Sequence, residues 1–89
     1  MMQTQIKIIN KLGLHARAAA KFVTLATQYK SDVFLKHLEK EVNGKSIMGV
    51  MMLAASKGTE LTLTADGIDE QEATNALVEL INNRFDESV

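Results

Sequence analysis

Apolar and polar residues alternate in three stretches of this chain, and each reads as a strand with one buried face. The first runs from about Thr4 to Ile9 and sets Ile6 and Ile8 on one side. The second, about Asp32 to His37, points Val33 and Leu35 inward and Phe34 and Lys36 outward. The third, Glu60 to Ala65, puts Leu61, Leu63 and Ala65 on one face and Thr62 and Thr64 on the other. A charged hairpin at Leu38-Glu39-Lys40 leads to a short further strand around Glu41 to Asn43. Between strands the period changes to that of a helix. From about Ala16 to Gln28, residues Ala19, Phe22, Val23 and Ala26 form one stripe. A short helix is expected after Ser46 as N-cap, with Val50 and Leu53 inward. A last helix is expected to open on a capping box, Asp69 with Glu72, with Ile68 stapled on Ala73. Its stripe is Ala73, Ala76, Leu77, Leu80, Ile81 and Phe85, and Asp86 to Val89 are expected to fray. The order β-α-β-β-α-β-α predicts an α+β fold, an open-faced two-layer sandwich. A four-stranded antiparallel sheet carries three helices on one face, and the other face is wet.

Composition narrows the chemistry. Eighty-nine residues suit one domain, residues 1–89, with an ordinary soluble balance of 46% hydrophobic and 24% charged. Cysteine is absent, which removes disulfides and thiolate chemistry. The two histidines, His15 and His37, are not at ligand spacing, so no metal site is expected. A net charge of −1 without a basic cluster, and very few aromatic residues, argue against nucleic-acid binding. No apolar run is long enough to span a bilayer and no signal-peptide pattern opens the chain, so a cytoplasmic location and no membrane insertion are expected.

One segment stands out against this background: Gly13-Leu14-His15-Ala16-Arg17. It places His15 at the start of the first helix, where backbone N–H groups lack partners and the dipole is positive. An imidazole there can carry an anion that the helix end stabilises, with the Arg17 guanidinium in reach of the same anion. Transient phosphorylation of a histidine nitrogen suits that setting. A histidine at a helix start is also ordinary surface filler, since Ser, Thr, Asp and Asn are the preferred caps.

The short helix after Gly44-Lys45-Ser46 is the second unusual segment. Every residue from Ile47 to Leu53 is apolar or glycine. A two-turn helix on a sheet buries one stripe, which leaves Ile47, Met48 and Met51 partly exposed as an adaptable docking surface. The alternative is that these methionines fill the core. Gly49 inside the helix costs about 1 kcal/mol relative to alanine, which points to a close neighbour or partner.

Asn10 to Val23, centred on Gly13-Leu14-His15-Ala16-Arg17, resembles the active-site segment of the HPr family, the histidine phosphocarriers of the bacterial phosphotransferase system. Gly44-Lys45-Ser46-Ile47-Met48-Gly49-Val50 resembles that family's second signature, around its regulatory serine, at the family's spacing. The resemblance covers nearly the whole chain. Asn10-Lys11-Leu12-Gly13 and Arg84-Phe85-Asp86 look closer to proteobacterial forms, including NPr of the nitrogen-related branch. Ala18 departs from the pattern, where the family commonly has proline.

The resemblance implies that His15 accepts a phosphoryl group on Nδ1 from Enzyme I and passes it to a histidine of an EIIA domain. Arg17 would neutralise the phosphoryl oxygens, and the N–H groups of Ala16 and Arg17 would bind them. Ser46 would be a regulatory phosphorylation site, for an HPr kinase/phosphorylase where one exists. Ile47, Met48 and Met51, with Ala16 and Ala20, would form the docking face. The protein would act as a monomer without a cofactor, as a group carrier more than a stand-alone enzyme. Two further readings remain: the resemblance also admits an NPr-type regulatory interaction protein, and the residues alone admit a binding domain that uses the methionine face without histidine chemistry.

Overall fold

Strand and helix side chains meet in a single apolar layer of 18 buried residues. The computed structural model describes residues Met1–Val89. Its elements are β1 (Met2–Lys7), α1 (Ala16–Ala26), β2 (Asp32–His37), β3 (Lys40–Asn43), α2 (Ile47–Met52), β4 (Glu60–Asp66) and α3 (Glu70–Asn82). The four strands form one antiparallel sheet in the order β1-β4-β2-β3. Ile6 lies opposite Leu61, Leu35 opposite Leu63, and Val33 opposite Ala65, so one face supplies a continuous apolar floor. Phe22, Val50, Leu77 and Ile81 close it from the helical side, each 1% exposed or less. Fully burying such a side chain is worth about 1.5–3 kcal/mol.

The expected architecture is present, and the differences are informative. β1 begins two residues early because pairing with β4 starts at Met2–Ala65. Beyond Lys7 the chain still bonds through Ile8 to Gly58 and Thr59, which keeps Ile8 buried. The first helix ends at Ala26: Thr27 N–H still bonds four back to Val23, but those of Gln28 and Tyr29 bond three back, as turns. The outer sheet face is less wet than alternation implies. Thr64 is buried there, between its cross-strand neighbours Gln3 and Phe34, and the Gln3 amide reaches its hydroxyl.

The entry to α3 corrects the expected capping box. Asp69 is the N-cap residue, yet its carboxylate does not cap its own helix. It accepts instead from the backbone N–H of Lys30 and of Ser31 and from the Ser31 hydroxyl, at 2.8, 2.9 and 2.6 Å. Glu72 is exposed, and the reach-back is made by Glu70, which accepts from Gly67 N–H. Ile68 is 89% exposed, so no staple forms on Ala73. Three donors satisfy the Asp69 carboxylate better than one N–H of its own first turn.

That clamp makes an acid-stability prediction. The Ser31 hydroxyl first, and then the Lys30 N–H, hold the Asp69 carboxyl down at about 2, against an ordinary 3.8. A depressed folded-state value means stability that is complete above about pH 4 and is lost as pH falls through about 2. Urea midpoints measured from pH 5 to pH 2 are expected to fall through that window. Asp69→Asn is expected to flatten the fall and to lower the midpoint at neutral pH. A parent-like acid limb in Asp69→Asn overturns the assignment.

Candidate functional site at the start of the first helix

The loop between β1 and α1 is held rigid from both sides. Gly13 adopts a φ of 68°, and a Cβ there would stand 2.4 Å from the Ala55 carbonyl oxygen. Only glycine combines that conformation with that approach. The same Ala55 oxygen accepts from Leu14 N–H at 2.8 Å, and the Leu14 side chain is buried. His15 is thereby delivered to the N-cap with extended backbone, and its carbonyl accepts from Ala19 N–H at 2.8 Å. No side chain caps the helix. The N–H groups of Ala16 and Arg17 find no acceptor within the protein and open toward solvent.

The imidazole itself is ordered by a residue of the tail that is expected to fray. Nε2 of His15 meets Glu87 Oε2, and the two side chains are 27% and 13% exposed. The other carboxylate oxygen, Oε1, accepts from Asn10 Nδ2 at 2.9 Å, and the same Nδ2 donates to Gly13 O at 2.8 Å. Burial pushes the Glu87 carboxyl up, but the Asn10 and His15 bonds, with the His15 and Lys21 charges, leave it below the usual carboxylate range. An anionic Glu87 therefore faces the imidazole. Nδ1 is left with no hydrogen-bond partner in the protein, beside the open end of α1.

The tail reaches His15 by an unusual route. After α3 a left-handed turn covers Arg84, Phe85 and Asp86, with φ of 56°, 53° and 63°. Phe85 is fully buried in that turn, not in the helix whose stripe it extends. Lys21 Nζ donates to Phe85 O at 2.8 Å, and Lys11 N–H donates to Val89 O at 3.1 Å. The expectation of fraying fails because burial, a lysine and the Glu87 bonds all fix this segment. An isolated Phe and Glu after a helix give no signal of this.

Arg17 is exposed and forms no ion pair or hydrogen bond, so it lies near the site without touching His15. It lines a groove between α1 and α3 with Ala20, Lys21, Thr24, Leu25 and Leu80. His37 stands elsewhere, half-buried at the end of β2 opposite Lys40.

α2 packs against α1 and carries an exposed apolar patch beside the site. Ser46 caps it by accepting from Gly49 N–H at 3.0 Å. Val50 and Leu53 turn inward. Met48 is 75% exposed, and Ile47, Met51 and Met52 are exposed too, so these methionines do not fill the core. Met52 extends the patch beyond the residues expected from sequence. The close neighbour of Gly49 is Ser46 itself, whose Cβ and Oγ lie 3.3 Å from where a Gly49 Cβ would sit. No helix is long and apolar enough to cross a membrane.

Comparison with known proteins agrees with this geometry. A family model described as "PTS HPr component phosphorylation site" matches residues 2–83. The phosphocarrier protein HPr of Pseudomonas aeruginosa is 64% identical over 88 residues, covering 98% of both chains. Among solved structures, HPr from Thermoanaerobacter tengcongensis superposes with a TM-score of 0.96 at 47% identity, covering both chains in full. Crh of Bacillus subtilis, described as a dimer with a swapping domain, gives a TM-score of 0.76 at 50% identity over 94% of this chain and 97% of that one.

Proposed function

The chain belongs to the HPr family and is a phosphocarrier of the phosphotransferase system, and we propose that His15 is the residue that carries the phosphoryl group. The observation that carries this reading is the free Nδ1 of His15 at the uncapped end of α1, with Nε2 engaged by Glu87. A carboxylate only accepts, so Nε2 holds the proton and the lone pair lies on Nδ1.

Transfer then needs no covalent chemistry beyond exchange of one bond. The Nδ1 lone pair attacks phosphorus, the donor's N–P bond breaks, and its electron pair returns to the donor nitrogen. The phosphoryl oxygens meet the N–H groups of Ala16 and Arg17 and the positive end of α1. Arg17, free of other partners, swings onto the same oxygens. Positioning and charge stabilisation are what such a transfer requires, and the partner supplies the rest. Ala18 N–H has no acceptor, so the proline common in the family is absent here without leaving a backbone bond to account for.

Family membership brings phosphotransferase-system partners, and Enzyme I as donor and EIIA domains as acceptors are our specific assignment. The similar proteins are HPr phosphocarriers, which is the ground for the sugar-uptake reading over the NPr branch. The exposed α2 patch, with Ala16 and Ala20, suits serial docking of several partners by a small adaptable surface. Phosphorylation of Ser46 by an HPr kinase/phosphorylase would set about −2 charge beside Met48 and weaken docking to acidic partners. We take the protein as a cytoplasmic single domain. A monomeric state is part of this proposal, and the dimeric Crh relative makes mass measurement in solution its test.

The docking assignment predicts a separation of stability from activity. Met48→Glu is expected to shift unfolding free energy by less than about 0.5 kcal/mol, because Met48 lies at the surface. It is expected to raise the KM for Enzyme I about tenfold, the loss typical of a contact near 1.4 kcal/mol. Urea unfolding and a steady-state transfer assay read the two halves. A large stability loss overturns the assignment.

A further inference from the structure

We propose that Asn10 and Glu87 form a positioning pair that fixes the tautomer of His15, holding the proton on Nε2 and presenting the lone pair of Nδ1 to the incoming phosphoryl group. This rests on the reading of His15 as acceptor and adds two residues to it.

The hydrogen-bond logic leaves one solution. Glu87 only accepts, so the nitrogen it meets must donate. The orientation of the Asn10 amide is equally determined. Its Nδ2 lies between Gly13 O and Glu87 Oε1, both acceptors, and a flipped amide would set Oδ1 against two oxygens. Asn10 is fully buried, and its Oδ1 finds no partner. A buried orphan oxygen is destabilising, so packing alone does not explain an asparagine here. What the residue does is hold one oxygen of Glu87 while the other meets His15.

The backbone points the same way. Three consecutive non-glycine residues, Arg84, Phe85 and Asp86, sit in the left-handed region. Each is unfavourable for an L-residue, and such strain persists only where the surroundings impose it. Burial of Phe85 and the bond from Lys21 to its carbonyl impose it here. The product of the turn is a chain reversal that aims Glu87 at the site. After transfer, the proton stays on Nε2 and its bond to Glu87 persists, so the positive character of the phosphorylated ring is already balanced and neither Asn10 nor Glu87 has to move.

Glu87→Gln is the sharp test, because it keeps shape and inverts the logic. Asn10 Nδ2 draws the carbonyl oxygen of the substituted side chain toward itself. The new amide NH2 then faces Nε2 and favours the tautomer with its proton on Nδ1. Long-range nitrogen–proton correlation spectra of the full chain, at a pH where the imidazole is neutral, read this directly. The parent is expected to show the Nε2–H tautomer, and Glu87→Gln a shift toward Nδ1–H. Glu87→Ala, which only deletes the acceptor, is expected to give a mixture. In transfer from Enzyme I, Glu87→Gln is expected to lower kcat about ten- to a hundredfold with KM nearly unchanged, the range found when a hydrogen-bonded partner of a metal-bound histidine is removed. A parent His15 with its proton on Nδ1, or an unchanged tautomer in Glu87→Gln, overturns the positioning pair alone. Absence of any phosphorylation of the parent chain overturns the reading of His15 beneath it.

Discussion

His15→Ala takes up no phosphoryl group from phosphoenolpyruvate and Enzyme I: this is the largest functional effect expected of any substitution in the chain. His15 makes no side-chain cap to α1, and its ring is partly exposed, so the fold survives its removal. The loss is therefore chemical. His37→Ala is expected to be labelled like the parent, because His37 lies at a strand end, away from any helix N-terminus. Mass spectrometry under non-acidic conditions reads one added phosphoryl mass in the parent and in His37→Ala, and none in His15→Ala. Label persisting in His15→Ala sinks the site assignment. Arg17→Ala belongs to the same experiment. It is expected to be labelled more slowly but completely, since the role proposed for Arg17 is to stabilise charge and not to receive the group.

Gly13→Ala is expected to be the most destabilising change near the site. A left-handed backbone at an alanine costs about 1–2 kcal/mol. Its Cβ, 2.4 Å from Ala55 O, adds overpacking of about 1–3 kcal/mol. A total of about 2–5 kcal/mol follows from these two effects, and each kcal/mol lowers Tm by roughly 4–8 °C in a domain of this size. Because the displaced Ala55 oxygen also accepts from Leu14 N–H, the residue before His15 shifts with it. Slower phosphorylation should accompany the lower Tm. Calorimetry that finds Gly13→Ala within about 1 kcal/mol of the parent, the ordinary range for a point mutant, would show that the loop yields and does not position His15.

What can be read from the sequence is what local physics decides. The bounds of β2, the start of α1 at His15, the Ser46 cap and the stripe of α1 depend on residues a few positions apart; periodicity places the first, second and last, and cap chemistry the Ser46 cap. The side chains that depart from expectation answer to distant partners. Asp69 has the right type and spacing for a capping box, but Ser31, 38 positions away, offers it more donors. Glu87 sits in a polar tail that looks frayed until Asn10, 77 positions away, is placed beside it. The left-handed turn at Arg84–Asp86 has no glycine to announce it, because tertiary contacts impose it against propensity. Whether the α2 methionines fill the core or face water is likewise undecidable from an all-apolar run. It depends on how much of a six-residue helix the sheet can cover.

The strand order also bears on how this chain folds as it is made. The first strand is an edge strand whose only partner is the last, with Met2 opposite Ala65 and Lys7 opposite Glu60. The carboxylate that orders His15 lies 72 positions downstream. A nascent chain leaves the ribosome at about 5–20 residues per second, N-terminal end first. His15 thus emerges early and stays unframed until Glu87 has followed. Folding must wait on closure between the two ends of the chain, a non-local contact of the kind that slows folding. Until Glu87 follows, His15 lacks the carboxylate that meets its ring in the folded chain.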